Sequence, residues 1–202
     1  MPALPSLPDY LCSGLDLVFV GINPGLYSAR QGHYFARSTN RFWPAFTSSR
    51  LSASMRAALG VDALRPEHDG ALLPLGIGFT DVVKRASGNA ADLDRSDFVR
   101  WAPRLLGKLR RAAPRVACFH GLTAFRPFLA LALGDTARVA ALGAQPELIG
   151  STRLFVVRNP SPANAHFTLA DQAAWYDRLA DFLATSPEAP GSSVARRART
   201  SP

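Results

Sequence analysis

Two short polar turns hold the residues best suited to chemistry. The first, Gly21-Ile22-Asn23-Pro24-Gly25, follows an apolar run without a break. Its glycines and proline force a sharp turn and let backbone N–H groups approach a ligand closely. Asn23 is the side chain in it able to hold a water or a polar ligand by hydrogen bonds. The spacing is neither the G-x-G-x-x-G of a dinucleotide site nor the Gly-Lys-Ser/Thr of a phosphate loop. The second turn is Asn159-Pro160-Ser161-Pro162-Ala163-Asn164-Ala165-His166. Two prolines stiffen it, and it carries amides, a hydroxyl and an imidazole. Taken singly, each is also what a plain structural turn looks like.

Both turns follow segments that read as buried strands. Four apolar runs have that character: Leu17–Ile22, Ile77–Val83, Val116–His120 and Leu154–Val157. Each is followed by a helical pattern. These are roughly Thr39–Leu59, with Phe42, Trp43 and Phe46 at helical spacing; Asp94–Arg111; Leu122–Leu133; and Leu169–Leu183, with Thr168 as N-cap. Alternation of this kind predicts an α/β fold: a three-layer α/β/α sandwich around a mainly parallel four-stranded core sheet. Gln145–Val157 reads alternatively as a hairpin turning at Gly150 and Ser151, which adds a short antiparallel strand. Such sheets bind ligands beyond the carboxyl ends of their strands. The chemistry is therefore expected just after Ile22, Val83, His120 and Val157.

The loop Ala86–Asp94 falls at that same edge and carries two carboxylates. Asp92 is the expected active-site carboxylate, and Asp94 is better placed as a helix cap. Asp81 is a third candidate, set aside because it lies within the second strand. His33, His68, His120 and His166 are widely spaced, with no pair at metal-ligand spacing, so no metal site is expected. His120 reads equally as a packed, hydrogen-bonded histidine. Cys12 and Cys118 are too few for a disulfide framework or a metal cluster, and Cys118 reads as a buried thiol.

A chain of 202 residues suits one well-packed domain, here 1–185, followed by a basic tail, 186–202, read as disordered. Its 48% hydrophobic and 19% charged residues describe a globular chain. No stretch is long enough to span a bilayer, and the opening residues do not read as a secretory signal, so a cytoplasmic monomer is the expectation. The net charge of +8 comes almost wholly from arginine, with Lys84 and Lys108 the only lysines. Arginine suits phosphate, so a polyanionic partner is expected, nucleic acid first; codon bias would give the same composition.

Together the two turns resemble the paired active-site motifs of the mismatch-specific uracil-DNA and thymine-DNA glycosylases. Between them Phe35-Ala36, Asn40-Arg41-Phe42-Trp43, Gly76-Ile77-Gly78-Phe79-Thr80 and Ile149-Gly150-Ser151-Thr152 resemble the same family, from about Leu15 to Leu183. The resemblance implies a DNA-repair enzyme without a cofactor. It would flip uracil, or a mispaired thymine or related damaged pyrimidine, from double-stranded DNA and hydrolyse its N-glycosidic bond. It further implies that Asn23 positions the attacking water; Asp92, read from its loop and not from the resemblance, would be the carboxylate that stabilises positive charge on the sugar. Gly21, Ile22, Pro24, Gly25, Phe35 and Asn159 would form the base pocket, with Phe35 stacking on the base. Ser161, Pro162, Ala163, Asn164 and His166 would enter the duplex, with His33 a further DNA contact.

Two positions depart from the family pattern. Family members carry Leu or Arg as the inserting residue, whereas this loop offers only small or polar ones. Weak discrimination of the opposing base is therefore expected, with single-stranded DNA as a further substrate. Leu122 also stands where the family often has lysine. The alternatives are a glycosylase of different base range, a Ser161–His166 hydrolase, which lacks a G-x-S-x-G elbow, and a catalytically silent DNA-binding module.

Overall fold

A computed structural model of the chain describes residues 6–162 and 167–187. Five strands form one sheet: β1 (Leu17–Gly21), β2 (Ile77–Asp81), β3 (Val116–His120), β4 (Gly143–Ile149) and β5 (Thr152–Val157), in the order β2-β1-β3-β5-β4. The four strands expected from the apolar runs are all parallel to one another. β4 pairs antiparallel with β5 around Gly150, so the hairpin reading holds and the sheet has five strands, not four. β1, β2 and β3 are buried along their whole length, as expected where both faces of a parallel sheet are covered.

Side chains alternate between the two faces. Phe19, Phe79, Cys118 and Val157 point toward α2 (Phe42–Ser48), α3 (Ala53–Leu59) and α6 (Leu169–Ala184). Val18, Val20, Phe119 and Val156 point toward α4 (Arg95–Ala112) and α5 (Leu122–Ala132). This is the three-layer sandwich. A short helix, α1 (Leu26–Gln31), starts directly after the first turn. Asp94 caps α4 by accepting from the Ser96 and Asp97 N–H groups, and Thr168 caps α6 through Asp171 N–H.

The expected helix Thr39–Leu59 is broken in two. Ser49 is extended (φ −84°, ψ 156°), its hydroxyl donates to the Phe46 carbonyl, and Ser52 donates to Thr47 and Ser49 carbonyls. Serine hydroxyls here compete for the acceptors that a continuous helix would use. At the other end of the chain, Ser186 and Pro187 accept hydrogen bonds from Arg115, so the packed body runs past 185. The remainder of the expected tail, 188–202, lies outside the described residues.

The free edge of β2 is covered by the N-terminal segment, residues 6–11. Tyr10 pairs antiparallel with Phe79 through N–H···O bonds of 2.9 and 3.1 Å. Gly78 makes the approach possible: a Cβ there would lie 2.5 Å from the Tyr10 carbonyl oxygen and 2.8 Å from Leu15. Gly78→Ala should therefore push this segment off the sheet and lower unfolding free energy by about 1–3 kcal/mol. A denaturant midpoint equal to wild type would show that the close approach is not required.

Candidate active site

The carboxyl ends of β1, β2, β3 and β5 open on one cavity of about 730 Å³. Gly21, Asn23, Phe35, Asp81, His120 and Asn159 all line it. The two turns singled out by their composition thus face each other across the end of the parallel sheet, where such sheets take their ligands.

The loops after β1 and β2 are joined by backbone bonds. Val82 and Val83 N–H groups donate to Gly21 and Ile22, Ser87 N–H to Pro24, and Leu26 N–H to Ser87. Within this frame the Asn23 amide nitrogen donates to Ser87 Oγ (2.8 Å), the Arg85 carbonyl (3.0 Å) and the Pro24 carbonyl (3.3 Å). Carbonyl acceptors can be served only by the NH2 end of a carboxamide. That end is therefore fixed in the protein, and the amide oxygen is left to the cavity.

Asp81, the last residue of β2, is 3% exposed and stands opposite Gly21 in the parallel register. Among the described residues its Oδ2 has no hydrogen-bond partner, and Lys84 Nζ lies 3.7 Å away. Burial raises its carboxyl to about 7, only partly offset by the pull of Lys84. His120 ends β3, with β1 between it and Asp81. Its Nε2 lies 3.0 Å from Tyr176 Oη, and burial lowers its imidazole to about 3, so the ring stays neutral.

The remaining wall is aromatic. Phe35 is stacked on Phe42 (centroids 4.3 Å apart, planes at 17°) and sits edge-on to His120. It is only half buried and lines the cavity, which leaves part of the ring open to a flat ligand. Phe35 has φ 53°, a left-handed conformation that costs a non-glycine residue energy and is held here by packing. On the far side Asn159 Oδ1 accepts from Ser161 N–H (3.0 Å), and Arg41 fastens the same turn through Pro160 and Ser161 carbonyls. A hydrogen-bond acceptor, a carboxyl and an apolar slot thus meet at one place. The arrangement can hold a planar polar ring and deliver a water to an atom at its rim.

A family model of the uracil DNA glycosylase superfamily matches residues 8–183. The chain belongs to that superfamily. It is 31% identical over 156 residues to the G/U mismatch-specific uracil DNA glycosylase of Schizosaccharomyces pombe, which covers 76% of this chain. The match takes in 46% of the yeast protein, so the chain spans about half that relative's length. In fold it is similar to a solution NMR structure from Methanosarcina acetivorans described as a candidate uracil DNA glycosylase. The TM-score is 0.55 at 19% identity, over 90% of this chain and 98% of that one.

Of the residues expected at the site, the base-pocket set Gly21, Ile22, Pro24, Gly25, Phe35 and Asn159, the water-positioning Asn23, and Ser161 and Pro162 of the insertion loop all line the cavity. Ala163, Asn164 and His166 lie outside the described residues. Asp92 is placed differently. It is exposed, and its Oδ2 accepts from Asn89 N–H (2.8 Å), capping a 3-10 turn, while the cavity is lined by its neighbours Ala90 and Ala91. His33 does not line the cavity either, since its Nδ1 pairs with buried Asp69 at 3.1 Å. Asp81, the third candidate carboxylate by sequence, is the last residue of its strand and not within it, because β2 ends there although the apolar run continues to Val83. Arg37, Arg158 and Phe167, not expected from the sequence, also line the cavity; Arg158 directly follows the last strand, which is the signal that marks it.

The buried carboxyl leads to a stability prediction. Below the ordinary aspartate value of 3.8, Asp81 is protonated whether the chain is folded or not. Between there and about 7 the unfolded chain releases this proton and the folded chain keeps it, so stability falls as pH rises. Asp81→Asn removes that dependence. Its thermal midpoint should exceed wild type at about pH 8, with the gap closing toward about pH 4.5. A gap independent of pH would contradict the buried-carboxyl assignment.

Proposed function

We propose that this protein is a uracil-DNA glycosylase of the mismatch-specific kind, excising uracil from duplex DNA and leaving an abasic site. The observation that supports this best is the convergence of Asn23 and Asp81 on one cavity walled by Phe35 and neutral His120. The flipped base stacks on the open part of the Phe35 ring. The Asn23 carbonyl oxygen accepts a hydrogen bond from a water and orients it on the sugar C1′. As the bond from C1′ to the base breaks, its electron pair leaves with the base and positive charge builds on the sugar. The Asp81 carboxylate stabilises that charge, and it takes a proton from the water as the new C1′–O bond forms. Backbone N–H groups of the 21–25 turn assist the departing base.

Exposed Arg37 and half-buried Arg158, which both line the cavity, together with the overall charge of +8, suit the phosphates on either side of a flipped nucleotide. U·G pairs are the expected best duplex substrate, because the weaker pair resists flipping less. Uracil in single-stranded DNA and mispaired thymine are further substrates of the same site.

Labelled duplexes carrying U opposite G, followed by alkaline cleavage, test the reading directly. Excision should proceed in EDTA, since every step is assigned to groups of this chain. Asn23→Ala should lower the single-turnover rate by about 10²-fold or more with DNA binding retained. Asp81→Asn should lower it by about 10²-fold, whereas Asp92→Ala should stay near wild type. A crippled Asp92→Ala beside an unaffected Asp81→Asn would reassign the carboxylate. Affinity for a fixed duplex should fall steeply as salt rises, and a flat salt series would argue against an extended phosphate interface.

A further inference from the structure

Next to Asp81 lies a partly buried polar cluster that the reaction as described leaves unused. Its centre is Asp9, in the segment that covers the edge of β2. Asp9 Oδ1 lies 3.0 Å from Lys84 Nζ and accepts from Thr80 Oγ1 at 2.7 Å, and Oδ2 accepts from Lys108 Nζ. Lys84 is 9% exposed, donates to Tyr34 Oη (3.2 Å), and sits 3.7 Å from Asp81. Tyr34 Oη in turn donates to the Pro8 carbonyl, and Ser6 Oγ donates to the Lys84 carbonyl.

The chemistry of the cations is informative. The chain has only two lysines among 23 basic residues, and both meet at this one carboxylate. A compact ammonium with three donors can sit between two carboxylates and a phenol, where a flat guanidinium fork would need more room and a different set of acceptors. Lys84 is thus shared. One partner, Asp9, holds it at hydrogen-bond distance; the other, Asp81, is kept slightly beyond it.

We propose that Lys84 is a positioning residue for the active-site carboxylate, and that Asp9, by holding Lys84 back, governs how readily Asp81 carries charge. The inference rests on the assignment of Asp81 to the excision reaction. The groups facing Asp81 act in opposite senses. Burial favours its neutral form, Lys84 and Lys108 favour the carboxylate, and Asp9 opposes it. Asp9 itself is raised by burial but held below its ordinary value by Lys84, Lys108 and Thr80. Tyr34, from the loop after α1, is raised by burial and stays a neutral phenol, and His120, from β3, is a neutral imidazole. Two cations and one competing anion therefore balance the charge of Asp81, and the covering segment carries the competitor.

The two ends of this cluster should respond with opposite sign, which damage to the fold alone would not produce. In wild type the excision rate should rise with pH through about 7 as Asp81 ionises. Lys84→Met removes the cation 3.7 Å from Asp81 and should move that limb up by about one pH unit or more. Asp9→Asn removes the competing anion, frees Lys84 for Asp81, and should move the limb down. Carbon-13 NMR titration of the Asp81 carboxyl, assigned by loss of the signal in Asp81→Asn, should show the same two opposed shifts in full-length protein without DNA. Melting curves identify any variant that fails to fold, and the remaining one still carries a predicted sign. Opposed shifts with no effect of Asp81→Asn on excision would leave the electrostatic coupling intact and overturn the catalytic role. Shifts that are absent or of one sign, with Asp81→Asn inactive, would overturn the inference and leave the catalytic role standing.

Discussion

The contact between Gly21 and Asp81 is the constraint on which the site depends. The two residues are partners in the parallel register of β1 and β2, each at the end of its strand. A Cβ at Gly21 would collide with the Asp81 carboxyl oxygen. Without it, the carboxyl lies flat against the backbone of β1, and the chain can turn at once into the loop that presents Asn23. The pairing of these strands therefore fixes the separation of the two polar groups before any loop geometry is considered. Backbone bonds from Val82, Val83 and Ser87 then carry the register onward into both loops, so the amide and the carboxyl are tied to one backbone frame.

An aromatic cluster surrounds that unit and makes its electrostatics consequential. Phe19, Phe42, Phe79 and Tyr176 pack beneath the sheet end, with Phe35 and His120 forming the surface that reaches the cavity. In such surroundings a charge is poorly solvated, so Asp81 is raised and His120 is lowered. The same dryness strengthens any interaction with charge that develops during a reaction. Phe35 contributes a face for stacking at the expense of a left-handed backbone, held by Phe42 on one side and by the Ser28 hydroxyl bonded to Ala36 N–H on the other. Strain at a cavity-lining aromatic and a destabilised buried carboxyl belong together: both are features a purely structural end of a sheet has no reason to keep.

The N-terminal segment has two roles in this arrangement. Its backbone satisfies the open edge of β2 through Tyr10, which removes a site for unwanted pairing. Its side chains carry Asp9 into the space between α4 and the end of β2, where Lys108 and Lys84 neutralise it. Edge protection and active-site electrostatics are thus built from the same few residues, and Gly78 permits both by admitting the Tyr10 backbone.

Much of this was legible in the sequence. Apolar runs located four strands, alternation with helical patterns made them parallel, and the caps Asp94 and Thr168 marked two helix starts, because these signals act over a few neighbouring residues. The Gly21–Gly25 and Asn159–Ser161 turns declared themselves by composition and by their place after strands. The sequence could not choose among carboxylates or histidines. Asp92 looked catalytic from its loop but caps a turn, and Asp81 looked structural from its strand but faces the cavity. His33 lay in the right loop yet pairs with Asp69, while His120 reached the pocket. Those outcomes turn on where a strand ends and on what surrounds a side chain after packing. Asp9 and Lys108 are 99 positions apart and meet only in the folded chain. Local propensity determined the elements and the turns; burial and charge, which are sums over distant residues, were decided by tertiary structure.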